Sequence, residues 1–259
     1  MDHYGLPIYN IDNLESVSSN KRAHYIYDGF HFLADLKHTN KNLVVFFHAA
    51  IKYTKQRPIF RGIEYNKKLN NSDILSLSDK MQDIFPIEES AFYLSHAALD
   101  HFSVYKSIIK NVIDKKQYNR VIFTSSSAGS IAALVFASVF KKACLILNPY
   151  MAPNTKWYSE HISSLNIIHD NTDIGSDIYK FMDKYGYPEK CIYYQNSNDK
   201  WLNNNFTLPF QKYIEDKGQF ELRIFEGIHG PLKDNQTHHN INMPPGETLA
   251  GIINGLLEV

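Results

Sequence analysis

The sequence predicts an α/β fold, with a mostly parallel central sheet covered by helices on both faces. Three observations carry this. Short β-branched and aromatic runs alternate with helix-like segments along the chain. Several runs are apolar throughout rather than alternating, as strands buried on both faces require. The chain of 259 residues is 44% apolar and 14% aromatic, enough for one sizeable core.

The elements follow in order. "HYIYDGFHFLADLK" (24–37) reads as an early hairpin, and "NLVVFFHAA" (42–50) as a buried strand running into a loop. "DILSLSD" (73–79) is a short strand. Residues 91–116 carry apolar side chains at helical spacing and are expected to form one long helix. "RVIFTS" (120–125) is a strand and "AGSIAALVFASVF" (128–140) an Ala-rich helix. Further strands are expected at 142–149, 189–199 and 220–227, with helices at 175–185, 205–217 and 246–257. No repeat or long linker divides the chain, so a single domain over 1–259 is expected. Residues 51–65 and 149–185 are candidate insertions covering a substrate.

Lys+Arg and Asp+Glu are both 27, so no basic excess drives nucleic-acid binding. No run approaches the ~18 apolar residues that span a bilayer. The first twenty residues lack an apolar signal core, and a cytoplasmic protein is expected. Cys144 and Cys191 fall in apolar runs without metal or redox spacing and read as buried free thiols.

The segment "RVIFTSSSAGSIAAL" is strand, tight turn, helix. Within it, Ser125-Ser126-Ser127-Ala128-Gly129 has the form small-x-Ser-x-Gly. Positions two before and two after the central serine must be small, because strand and helix crowd there. Ser127 then stands at a helix N-terminus, where developing negative charge is favoured. A plain loop with serine capping the helix fits the pentapeptide equally well.

This pentapeptide resembles the nucleophile elbow of the α/β-hydrolase superfamily, with Ser125 in place of the commoner Gly. The downstream order agrees with the resemblance. Asp199 follows the strand "CIYYQ", and His229 follows the strand "FELRIFEG", with one strand and one helix between them. The resemblance implies a Ser127–His229–Asp199 triad: His229 as general base and acid, Asp199 orienting the imidazole. It implies oxyanion donors at the Ala128 and Ala49 backbone N–H groups. His48 is placed at the substrate side with Trp157, Tyr158 and Trp201, its more direct service being to order its loop through a hydrogen bond.

Rival constellations rank lower. Asp170 and Asp173 precede a helix instead of closing a strand. His96, Asp100 and His101 read as a helix surface, and the histidines of "THHN" (237–240) as surface residues. No metal site and no resident cofactor are expected. Tyr, Trp, Lys and Asn in 51–65 and 149–162 suit contact with sugar rings, and equally suit amphipathic loops over a core.

The implied chemistry is acyl transfer. With acetyl-CoA as donor substrate and a hydroxyl of a surface or capsular polysaccharide as acceptor, the protein is an O-acetyltransferase. With water as acceptor it is a carboxylesterase or sugar-ester deacetylase. A non-catalytic subunit of a glycan assembly or export system is the third alternative.

Overall fold

The computed structural model describes residues 1–49, 55–84, 93, 100–149, 178–226 and 248–258. Nine strands form one sheet: β1 (Ile8–Ile11), β2 (Arg22–Tyr27), β3 (Phe30–Asp35), β4 (Asn42–Phe47), β5 (Ser72–Leu77), β6 (Arg120–Ser127), β7 (Ala143–Pro149), β8 (Cys191–Asn196) and β9 (Phe220–Phe225). Their order is β1-β2-β3-β5-β4-β6-β7-β8-β9. Only β3 runs against the others. The fold is therefore the mostly parallel α/β sheet that the alternation of segments predicts.

The β2–β3 hairpin turns on Asp28 and Gly29, at φ 50° and 72°. Two successive left-handed residues match the right-handed twist of the flanking strands. From β4 to β8 the strands are buried on both faces. Leu43, Val45 and Phe47 pack into one cluster, while Val44 and Phe46 pack into the other.

Four helices cover the first face: α1 (His101–Asp114), α2 (Ser130–Phe140), α3 (Ile178–Tyr185) and α4 (Leu208–Ile214). The second face is covered by α5 (Leu249–Leu257) together with Phe60 and Leu69 of the β4–β5 connection.

Two expectations are corrected. The long helix over 91–116 begins only at His101, because Asp100 adopts φ −79°, ψ 77° and its carboxylate accepts the Ser103 N–H at 3.0 Å. That is an N-cap, and it stops the helix from extending upstream. Tyr93, inside the expected helix, stands at φ 59°. His101 is not on a helix surface: its ring is fully buried and meets Phe30 edge-on at 5.1 Å. The short edge strand β1 is an addition that no apolar run announces. His96 lies outside the described residues, as do Asp170, Asp173 and the histidines at 237–240.

Cys144 and Cys191 face each other across β7 and β8, both buried and free, with Sγ atoms 3.0 Å apart.

Candidate active site

The carboxyl ends of β4, β6 and β8 lie on one rim of the sheet, since these strands run the same way. β6 ends at Ser127, whose φ of 50° is left-handed and uncommon for a residue with a Cβ. Its pairing with β7 slips between Ser126 and Ser127, so the strand leaves the ladder at this point. The Gly129 N–H closes the turn on the Ser126 carbonyl at 3.2 Å, and α2 starts at once. The N-cap is Gly129, and no side chain among the described residues caps α2. Its first amides therefore stay available to a negative charge at the turn.

Ser125 and Gly129 fit together. A Cβ built on Gly129 would stand 2.1 Å from Ser125 Oγ and 2.4 Å from the His48 carbonyl oxygen. The space left by the missing side chain admits the Ser125 hydroxyl, which donates to the Phe47 carbonyl at 2.9 Å. One hydroxyl thus ties the end of β6 to the end of β4 and brings the His48 loop against the turn.

That loop is held by polar groups buried in the core. Tyr93 Oη accepts the His48 N–H at 2.8 Å and donates to the Leu77 carbonyl at 3.0 Å. His48 Nε2 accepts the Asp79 N–H at 3.1 Å, which leaves Nδ1 to donate to the Ala49 carbonyl at 2.7 Å. The Asp79 carboxylate accepts the N–H groups of Met81 and Tyr93. Burial pushes the imidazole down to about 4, with Arg61 and Arg57 adding to the shift against the Ala49 carbonyl. His48 is fully enclosed, and both its ring nitrogens are engaged in ordering the loop. Tyr93 and Asp79 did not stand out in the sequence. A tyrosine amid apolar residues signals only core.

Asp199 sits in the turn after β8, its N–H bonded to the Asn196 carbonyl at 3.1 Å. β7 alone separates β8 from β6, so the two turns stand about 10 Å apart by strand spacing. The Ser197 N–H donates to the Phe225 carbonyl at 2.9 Å, joining this turn to the end of β9. From there the chain proceeds toward His229, which lies outside the described residues. Trp201 is 47% exposed and packs edge-on against Phe206 at 5.0 Å. Trp157 and Tyr158 lie outside the described residues. Ser127, Ala128, Ala49 and Asp199 thus share one rim.

No protein-family model matches this chain, and no curated protein does. Solved structures do. The capsule O-acetyltransferase of Neisseria meningitidis serogroup A is similar with a TM-score of 0.59 at 14% identity, over 79% of this chain and 86% of that one. A mutant of that enzyme in complex with CoA gives 0.58 at 13%, over 83% and 92%. An S-formylglutathione hydrolase from Agrobacterium tumefaciens gives 0.55 at 11%, over 76% and 81%. All share the α/β-hydrolase fold with this chain.

Proposed function

We propose that this protein is a serine acyl-transfer enzyme, moving acetyl from acetyl-CoA to a hydroxyl of a surface or capsular polysaccharide. The observation that carries the reading is Ser127: left-handed at φ 50°, at the mouth of a helix whose N-cap is Gly129. A serine held there costs about 1–3 kcal/mol of backbone strain, which a plain connecting turn has no need to bear.

In this reading His229 removes the Ser127 proton while Oγ attacks the thioester carbonyl. The Ala128 and Ala49 N–H groups hold the oxyanion. The C–S bond breaks, the imidazolium protonates the CoA sulfur, and acetyl stays on Ser127. A sugar hydroxyl then gives its proton to His229, attacks the acetyl ester and releases the serine. Asp199 holds the imidazole tautomer throughout. The likeness to a capsule O-acetyltransferase, one form of which holds CoA, supports this donor and acceptor. A cytoplasmic protein would meet acetyl-CoA directly.

Hydrolysis is the second reading, favoured by the likeness to an S-formylglutathione hydrolase. The same residues serve, with water as acceptor. A fluorophosphonate probe is expected to label the protein, and Ser127→Ala is expected to abolish the labelling and to lower turnover about 10⁴-fold or more. Absence of labelling in folded protein overturns both enzymatic readings and favours a non-catalytic subunit. Release of CoA from acetyl-CoA then separates the two. Dependence on added glycan supports the transferase, and release indifferent to glycan supports the esterase.

A further inference from the structure

A cavity of about 770 Å³ opens where the amino ends of β6, β7, β8 and β9 meet α5. That volume lies within the range of small-molecule sites, about 300–1,000 Å³. It is on the rim opposite Ser127. Arg120 at its wall begins β6 and Ser127 ends it, a separation of about 23 Å along the strand. A group bound there is not the reacting group at Ser127.

The lining is basic. Arg120, Lys142, Lys190 and Arg223 converge on the cavity, against Glu189 alone among the described acids of the wall. Glu221, beside them, pairs with Lys190 at 3.2 Å and with Arg223 at 2.6 Å. Tyr194 Oη holds the same guanidinium. Arg120 and Lys142 have no carboxylate partner among the described residues, so positive charge is left over. The first turn of α5 adjoins the cavity through Thr248 and Gly251, where the Thr248 hydroxyl accepts the Gly251 N–H at 3.1 Å.

The wall of α5 is kept low by glycine. A Cβ on Gly255 would meet nothing within 4 Å, and one on Gly251 only Thr248 Oγ1 at 3.2 Å. Packing does not demand either glycine, and each costs the helix about 1 kcal/mol relative to alanine. Their effect is to keep the cavity open over an apolar floor that includes Ile192 and Ile252.

We propose that this cavity binds an anionic sugar, a saccharide unit bearing a carboxylate or a phosphate, at a site separate from Ser127. The cations take the acidic group, while the apolar floor and the Asn119 and Gln219 amides take the ring and its hydroxyls. The inference does not rest on acyl transfer at Ser127.

Calorimetric titration of the full chain with glucuronic acid, glucose 1-phosphate, glucose and inorganic phosphate tests it. The two acidic sugars are expected to bind, more weakly at high salt, and glucose not to bind. The paired change Arg120→Ala and Lys142→Ala should weaken binding tenfold or more, since losing one charge-assisted hydrogen bond of about 1.5–3 kcal/mol already corresponds to that factor. Lys106→Ala with Lys110→Ala, on exposed positions of α1, should leave it unchanged. Gly255→Leu should abolish binding by filling the cavity while the thermal midpoint holds or rises. Fluorophosphonate labelling should be the same in all of these variants. Equal binding of glucose, equal loss in the α1 control, or phosphate binding as tightly as the sugars overturns the proposal.

Discussion

At the scale of single residues, the turn after β6 is a fit between what Ser127 bears and what Gly129 lacks. Gly129 itself has an ordinary helical φ of −68°, so it is glycine for space and not for conformation. Gly129→Ala is expected to destabilise the protein by about 1–3 kcal/mol, the usual cost of overpacking a closed site. Chemical denaturation checks this. Adding Ser125→Gly should recover only part of the loss, because the His48 carbonyl remains 2.4 Å from the new methyl and is backbone. The pattern small-x-Ser-x-Gly made the strand-to-helix turn at Ser127 legible in the sequence, since crowding there restricts residue type directly. It did not disclose that the Ser125 hydroxyl bridges two strands. That depends on a neighbour 78 residues away in the chain.

At the scale of elements, the loop after β4 is positioned by hydrogen bonds to buried groups. Tyr93→Phe removes one hydroxyl and leaves the His48 N–H and the Leu77 carbonyl without their partner. A loss of about 1–3 kcal/mol is expected, with an accompanying fall in kcat, read from denaturation and steady-state rates. Tyr118→Phe removes a hydroxyl 2.8 Å from the Asp73 carboxylate, far from the loop, and should lower stability with kcat unchanged. The sequence placed the strands from β2 onward well, because runs such as "NLVVFF" state their burial on both faces. It placed the start of α1 badly. Apolar spacing continues upstream of His101, and the boundary depends on the single carboxylate of Asp100. β1 was illegible for the opposite reason: four half-exposed residues on an edge form no pattern.

At the scale of the whole molecule, buried ionisable groups set the limits of stability. The Asp73 carboxylate is fully buried and accepts the Lys37 N–H and the Asn40 amide, each at 2.9 Å, besides the Tyr118 hydroxyl. Lys116 Nζ stands 2.7 Å from it. Asp73→Ala strands these donors and should cost about 3–5 kcal/mol, measured by denaturation. Acid works on two histidines. Burial pushes His24 down to about 4, with the neighbouring His31 adding to the effect and Asp2 at 3.1 Å opposing it. His48 lies at about the same value. Both are neutral when folded, and the unfolded chain takes up protons first below pH ~6.5. Their contribution is therefore complete above pH 6.5 and is lost as pH falls toward 4, by up to about 3 kcal/mol for each. Denaturation midpoints at pH 7.5, 5.5 and 4.5 should descend in that order, and more shallowly in His24→Gln.

The helix α5 closes the face that Val44, Ile122 and Leu145 present. Asn254 fastens it to the early part of the chain, donating to the Lys68 carbonyl and accepting the Asn70 N–H, each at 2.9 Å. A ribosome that has delivered β1 to β9 has still not delivered the piece that seals them. Until it emerges, the nascent protein carries a greasy strip of the kind that chaperones hold. A stop codon just before Leu249 would therefore cost the cell the entire molecule and not merely its tail.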